Sequence, residues 1–201
     1  MIGLLPLFPS SVYHFTLEED TSELDPRGFE YNKQYFPSGA AATENIRVLD
    51  EFPNTKRIIL KKFNDIAKNQ LGLDNEFKLS TSWFTKVEKG GHAIFHCHRN
   101  CFYSGIYYFG DNYPESSGRL CFRSNIEQYS DFLIKSNKRD LLNATTWTIQ
   151  PKRKKMVLFP SYLEHAILEH MEDATRYSLA FNFYPVGEYG FGDSTFNTDW
   201  K

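Results

Sequence analysis

From residue 77 onward the apolar side chains of this sequence recur at every second position, and this pattern constrains the fold more than any other feature. Alternate side chains of a β-strand point to opposite faces, so short runs of this period, separated by turn residues, predict strands. The eight runs are FKLSTSWFTKV, HAIFHCH, YSGIYYF, GRLCF, TWTIQ, KMVLFP, HAILEH and RYSLAFNFY. Eighteen Phe and twelve Tyr in 201 residues support a β-rich core, because aromatic residues favour strands.

The sequence ahead of these runs predicts one early strand and one or two helices. SSVYHFTL (residues 10–17) has strand character, and residues 18–39 are polar and rich in turn residues. TENIRVLDEF predicts a helix capped by Thr43. TKRIILKKFNDIAKNQLGL has apolar residues at helical spacing and predicts a second helix with Gly72 as its C-cap. This order predicts a mainly β fold, a double-sheet jelly roll (cupin-like double-stranded β-helix) with supporting N-terminal helices. The length favours a single domain over residues 1–201.

Composition argues against several classes of partner and location. A net charge of −2 gives no field that would recruit nucleic acid or an anionic membrane. No apolar run approaches the roughly 18 residues that a membrane span needs. The apolar N-terminus lacks a basic segment and is interrupted by Pro6 and Pro9, which is not typical of a secretory signal. Three cysteines cannot all pair, so we expect a reduced, cytoplasmic setting.

The segment FHCHRNC contains two histidines and two cysteines in close succession. In a regular strand His96 and His98 share one face, and Cys97 points to the other. This spacing argues against a structural zinc clip, which needs four protein ligands and closely spaced cysteine pairs. Neutral imidazole is the commonest protein metal ligand, so the pair fits a metal site. By itself it fits ordinary core or surface histidines equally well.

A second segment, MVLFPSYLEHAILEHMEDATRYSLAFNF, favours the metal site. It places His165 at the start of one strand and Arg176 on a later strand, where Ser178 shares its face. A planar guanidinium beside a hydroxyl in a barrel interior makes a clamp for a carboxylate. An inward arginine without an anion is costly, although an ordinary salt bridge at the barrel mouth would also satisfy it.

Taken together, the motifs His-x-His, Ser-Gly-x-Tyr-Tyr, Phe-Pro-Ser…His and Arg-x-Ser resemble those of the 2-oxoglutarate- and Fe(II)-dependent oxygenases common in marine bacteria and their phages. The wider superfamily includes prolyl hydroxylases and aspartyl/asparaginyl β-hydroxylases. The resemblance is best over residues 80–185. It implies a jelly roll that holds one Fe(II), uses 2-oxoglutarate as cosubstrate and hydroxylates a substrate with release of succinate and CO2. A phage-encoded member would act in the host cytoplasm.

The resemblance also implies roles for particular residues. By motif position, His96 would be the first metal ligand and His165 the distal one. Arg176, assisted by Ser178, would bind the C5 carboxylate of 2-oxoglutarate. One member of the Tyr107–Tyr108 pair must face inward, where it would add a phenol hydrogen bond. We assign this cofactor-binding role to Tyr108.

One position departs from the family pattern. Two residues after the first histidine the superfamily has Asp or Glu, which gives a triad of two histidines and one carboxylate. This sequence has His98 there. Either His98 coordinates the metal, giving a three-histidine site, or it stands off and water takes its place. We favour coordination.

Two rival functions fit parts of the pattern. The first is a cupin-type metalloenzyme that uses three histidines without 2-oxoglutarate, but such an enzyme would not need the clamp of Arg176 and Ser178. The second is a non-catalytic β-sandwich interaction module whose histidines are vestigial. We expect the substrate to be a small molecule or a peptide, and a homodimer is left open.

The remaining features have simpler interpretations. We expect His14, His92 and His170 to lie at the surface, and the three cysteines to be small packed residues. Residues 123–144 and the tail from Gly187 onward are the segments expected to cover a substrate, because long loops on a rigid scaffold usually carry recognition. The tail could instead be a packing arm.

Overall fold

The computed structural model describes residues 9–32, 39–111, 113–114, 117–124, 135, 137–138 and 140–198. Within them the chain forms thirteen strands, one α-helix (α1, Pro53–Asn69) and 3-10 turns at Val48–Glu51 and Gly192–Ser194. The strands are β1 (Tyr13–Thr16), β2 (Tyr31–Asn32), β3 (Ala40–Thr43), β4 (Glu76–Val87), β5 (Ala93–His96), β6 (Tyr103–Tyr108), β7 (Leu120–Arg123), β8 (Thr146–Ile149), β9 (Lys155–Pro160), β10 (His165–Ile167), β11 (Arg176–Val186), β12 (Glu188–Tyr189) and β13 (Phe196–Asn197). All eight strands predicted beyond residue 77 are present, as is the early strand, so the mainly β prediction is confirmed.

The strands build two antiparallel sheets that lie against each other. The larger has the order β1-β9-β6-β11-β4-β3-β2, and the smaller has the order β5-β10-β7-β8. Both sheets contribute to the apolar core between them: Tyr108 and Phe159 of the larger sheet pack in one cluster with Leu120 and Phe122 of the smaller. Strands β12 and β13 pair as a separate antiparallel unit. Two facing antiparallel sheets are the layers expected of a jelly roll.

Helix α1 covers the outer face of the larger sheet. Pro53 lies at its start, where the missing N–H costs no hydrogen bond. The apolar face of the helix, which includes Ile58 and Phe63, is buried in a cluster with the sheet. Phe63 is completely buried and stacks on Phe183 of β11, with ring centroids 4.1 Å apart. The helix therefore holds the outer face of the strand whose inner face carries the candidate site.

Two details of the helix predictions are wrong. Thr43 does not cap a helix but ends strand β3, which pairs with β4, and only a 3-10 turn follows it. Its hydroxyl accepts from the Phe84 N–H and donates to the Asn45 carbonyl, which ties the residue to the sheet. Helix α1 is present as predicted, but it ends at Asn69. Gly72 lies just beyond, with a left-handed φ of 67° that glycine adopts readily.

Three further expectations concern membrane spans, the segment 123–144 and the domain boundary. No helix within the described part of the chain is long and apolar enough to cross a membrane. The segment 123–144, which is expected to cover a substrate, falls largely outside the described residues. The single-domain boundary over 1–201 stays a prediction.

The packing of α1 leads to a first prediction. Phe63→Ala should lower the free energy of unfolding by about 3–5 kcal/mol, because it removes a buried ring and leaves a cavity. Phe191→Ala is the matched control: this ring is 92% exposed, so its loss should change stability by less than about 0.5 kcal/mol. Urea unfolding measures both. Equal losses for the two variants would contradict this account of the core.

Candidate active site

Three histidine side chains converge in the cleft between the two sheets. His96 ends β5 and His165 begins β10, and the two residues are direct cross-strand partners. His98 lies just beyond β5, in a loop fixed by a 2.9 Å hydrogen bond from its backbone N–H to the Ser161 carbonyl. One ring nitrogen of each histidine lies within 4.8 Å of the other two. The structure thus brings together all three residues predicted as metal ligands.

A bulge in β5 gives His96 its inward direction. Between Ala93 and His96 the paired strand β10 advances by only two residues while β5 advances by three. Ala93 is therefore buried and His96 still faces the cleft, whereas Ile94 between them is 67% exposed. The prediction that His96 and His98 share one face assumed that side chains alternate strictly along the strand, and this alternation does not hold here. The strand ends at His96, and His98 reaches the cleft from the following loop.

Hydrogen bonds to the backbone set the tautomers of two of these rings. Nδ1 of His96 lies 2.8 Å from the Ile94 carbonyl, and Nδ1 of His165 lies 3.0 Å from the Leu163 carbonyl. A carbonyl oxygen only accepts, so each Nδ1 carries the proton and each Nε2 keeps its lone pair. Burial, assisted by the neighbouring His96, lowers the pKa of His98 to about 4 and that of His165 to about 3. Both imidazoles are thus neutral at pH 7, the form that binds metal.

A buried polar network supports the loop that carries His98. Ser161, whose carbonyl accepts from His98, has its hydroxyl 2.9 Å from that of Ser104. Ser104 donates to the side-chain oxygen of Asn182 at 2.7 Å, and the Asn182 amide donates to the Thr81 hydroxyl at 2.9 Å. Ser104 also lines the histidine cleft. The network therefore connects three strands of the larger sheet to Ser161, whose carbonyl holds the loop of His98. This network was not predicted, and its only signal in the sequence is that Asn182 shares the strand face of Arg176 and Ser178.

The predicted carboxylate clamp lies inside the same jelly roll. Arg176 is 1% exposed, and none of its guanidinium nitrogens has a hydrogen-bond partner among the described residues. It lies 5.1 Å from the ring centroid of Tyr108, whose buried hydroxyl is equally unpartnered there. Ser178, two residues along β11, is also buried. Tyr108 is the inward member of its pair, because Tyr107 bonds to Thr21 on the other face of the sheet, 2.8 Å away.

Arg176 is a buried charge that has no counterion among the described residues. A buried cation without a counterion costs several kcal/mol. The salt bridge considered as an alternative for Arg176 does not form with any carboxylate of the described residues. Burial raises the pKa of Tyr108, so its phenol stays protonated and can donate a hydrogen bond. Arg176 and Tyr108 therefore present two neighbouring donors that could bind one anion.

His170 was predicted at the surface, and this expectation is wrong. The residue is completely buried, and its Nε2 donates to the Ala174 carbonyl at 2.6 Å. Its Nδ1 therefore accepts from the Ser117 hydroxyl at 2.9 Å. Gly118 lies between this ring and Arg176: a Cβ there would come within 3.0 Å of the arginine Cδ, and φ is 58°. Alternation along HAILEH gave no sign of this, because β10 ends at Ile167.

The other candidates lie where they were expected. His14 and His92 are exposed. The three cysteines are free, and none belongs to the histidine group, so no zinc clip forms within the described residues. A residue not predicted above, Trp83, also lines the cleft, with its ring centroid 5.5 Å from that of His98.

The donor set fits a ferrous ion. Imidazole nitrogen is a suitable ligand for iron, and three convergent imidazoles leave further coordination positions open. No carboxylate of the described residues joins the group. An unpaired arginine and a phenol in the same interior fit a dicarboxylate cosubstrate.

Comparison with known proteins agrees with this chemistry. Residues 81–182, just over half of the chain, match the family described as "Putative 2OG-Fe(II) oxygenase". No protein of curated function matches the sequence.

Solved structures show the same fold at low sequence identity. HygX from Streptomyces hygroscopicus, with nickel, 2-oxoglutarate and hygromycin B bound, aligns with a TM-score of 0.59 and 11% identity over 88% of this chain and 83% of its own. The α-ketoglutarate-dependent epimerase SnoN from nogalamycin biosynthesis gives a TM-score of 0.64 and 10% identity over 90% and 81%. A Pseudomonas putida prolyl-4-hydroxylase gives 0.50 and 16% over 79% of each chain.

These matches confirm several predictions. The jelly-roll fold is confirmed by the structural relatives. Fe(II) and 2-oxoglutarate are confirmed by the family, which leaves the two rival functions without support. The marine bacterial or phage origin stays a prediction. The chain belongs to the family of 2-oxoglutarate- and Fe(II)-dependent oxygenases.

Proposed function

We propose that His96, His98 and His165 hold one Fe(II), and that the protein hydroxylates an organic substrate. The bound iron and 2-oxoglutarate would supply the oxidising chemistry: one atom of dioxygen enters the product alcohol, the other enters succinate, and CO2 is released. The observation that carries the proposal is the buried, unpartnered guanidinium of Arg176 inside the jelly roll that also holds the three histidines.

The three histidines have different supports. His96 and His165 are held by hydrogen bonds from Nδ1 to backbone carbonyls, which direct each Nε2 into the cleft. His98 has its Nε2 3.3 Å from that of His165. A proton on the His98 Nε2 would make this contact a hydrogen bond, and an ion between the rings would make both nitrogens its ligands. Coordination by His98 is supported by the convergence of all three rings, whose ligand nitrogens lie within 4.8 Å of one another.

The clamp residues are proposed to bind the C5 carboxylate of 2-oxoglutarate. Arg176 would donate two parallel hydrogen bonds, and Ser178 and Tyr108 would add one each. Ala180 lines the histidine cleft on the same strand, four residues from Arg176. At a strand rise of about 3.4 Å per residue the two Cα atoms are roughly 13 Å apart, which an arginine side chain and a five-carbon diacid can bridge together.

Other parts of the prediction stay proposals. The substrate is expected to be a small molecule or a peptide, without nucleic acid or membrane, and homodimer formation stays open. A cytoplasmic setting is supported by the three free cysteines. Residues 123–144 and the tail are proposed to cover the substrate. For the tail this is supported by Tyr189, which lines a surface cavity together with the loop that follows His98.

Metal binding tests the ligand assignment. His165→Ala should weaken Fe(II) binding by more than about a hundredfold, because even the loss of a supporting residue costs 10–100-fold. His14→Ala, which removes an exposed histidine, should leave it unchanged. Anaerobic equilibrium dialysis with Fe(II) measures both variants, and circular dichroism checks that they fold. Undiminished iron binding by His165→Ala would refute the metal centre.

Cosubstrate binding tests the clamp. Arg176→Met should weaken 2-oxoglutarate binding by roughly tenfold to a hundredfold, because hydrogen bonds to charged groups contribute about 1.5–3 kcal/mol. Its affinity for Fe(II) should not change. Arg153→Met is the control, since that arginine is exposed and paired with Asp111 at 2.6 Å. The readout is the visible charge-transfer band in an anaerobic titration of the iron-loaded protein. Equal titration midpoints for the two variants would exclude Arg176 as the carboxylate clamp. The absence of any band in the wild type would exclude 2-oxoglutarate as the cosubstrate.

A further inference from the structure

His98 lies in the wall between two cavities. One is the inner cleft that it shares with His96 and His165. The other opens at the protein surface and has a volume of about 480 Å³. Cavities of roughly 300–1,000 Å³ are typical of small-molecule sites. A molecule in the outer cavity would therefore sit directly beside the proposed metal centre.

Two aromatic side chains form fixed walls of this outer cavity. Phe102 is 42% exposed and Tyr162 is 53% exposed, so both present ring surface to solvent. The Phe102 ring stacks on Phe77 with centroids 5.4 Å apart, and its backbone N–H donates to the Phe183 carbonyl at 2.7 Å. The Tyr162 hydroxyl lies 3.2 Å from that of Ser10. The two rings are therefore positioned before any ligand arrives, which lowers the entropic cost of binding.

The remaining wall of the cavity combines apolar and neutral polar residues with a single charged one. Leu71, Leu73 and Pro160 contribute apolar surface. Arg99 is the only Asp, Glu, Lys or Arg among the described residues that line the cavity, and it directly follows His98. No described residue accepts a hydrogen bond from its guanidinium or pairs with it. A planar cation beside flat apolar walls recognises an oxyanion attached to an apolar body.

We propose that this cavity is the substrate site and that it takes a small molecule with a flat, apolar ring and a carboxylate or similar oxyanion. The inference rests on the proposed function, because it needs the metal centre beside His98. Phe102 and Tyr162 would hold the ring, and Arg99 would bind the anion. Tyr103 of the cavity wall pairs with Phe183 of β11, whereas Arg176 begins that strand seven residues earlier. The cosubstrate would therefore lie toward the other end of β11.

The test uses protein loaded with Mn(II) and 2-oxoglutarate, because paramagnetic Mn(II) broadens the proton signals of a ligand bound near it. The probes are 3-phenylpropionate, its neutral amide 3-phenylpropanamide, and butyrate, which has the anion but no ring. Zn(II)-loaded protein is the diamagnetic control. We expect Mn(II) to broaden the phenylpropionate signals, and we expect the amide and butyrate each to bind at least about tenfold more weakly.

Two variants separate the roles of charge and ring. Arg99→Gln should bind phenylpropionate no more tightly than the wild type binds the amide. Phe102→Ala should bind phenylpropionate no more tightly than the wild type binds butyrate. Arg57→Gln is the matched control, since Arg57 is an exposed arginine of α1 that bonds to Asn54 and does not line the cavity, and it should change nothing. Thermal unfolding confirms that each variant folds.

The outcomes are distinct. If Mn(II) and 2-oxoglutarate bind but no probe is broadened, or if the three variants bind phenylpropionate equally, the substrate-site inference is overturned and the proposed function stands. If Mn(II) or 2-oxoglutarate does not bind, both fail. Broadening that depends on Arg99 and Phe102, and is absent with Zn(II), supports the inference.

Discussion

The pairing of β5 with β10 is the constraint on which the candidate site depends. It sets His165 directly opposite His96, at the separation that two ligands of one ion require. The bulge between Ala93 and His96 is part of this constraint, because a shift of register by one residue turns a side chain to the other face of a sheet. Without the bulge, either Ala93 would leave the core or His96 would point to solvent. The strand register places the two histidines, and hydrogen bonds to neighbouring backbone carbonyls then fix the orientation of their rings.

Strand β11 connects this site to the rest of the molecule. It is paired on both sides, with β4 and β6, and its two faces have separate roles. Phe181 and Phe183 point toward α1 and belong to the outer core. Arg176 and Ser178 lie on the inner face. Asn182, farther along the same face, belongs to the hydrogen-bond network that supports the loop of His98. Helix α1 thus packs against the strand that carries the proposed clamp and Asn182.

Much of this could be predicted from sequence, and the failures have identifiable causes. The strands beyond residue 77 were predictable because their alternation is strong and their turns are marked. Strand β3 was not, because AAAT has no alternation and alanine favours helices. The convergence of the histidines was predicted, but the bulge was not, because register is set by the partner strand. His170 was missed because alternation stops where its strand ends, and only tertiary packing buries the ring.

The unpaired guanidinium of Arg176 has a consequence for the behaviour of the protein in a cell. The cost of burying that charge is paid by the folded state alone, so the protein without cosubstrate is less stable than its packing would allow. A ligand that binds only the folded form stabilises it by about 2.7 kcal/mol at a concentration of one hundred times its dissociation constant. Under the proposed function, bound 2-oxoglutarate would therefore protect the folded protein against unfolding and proteolysis.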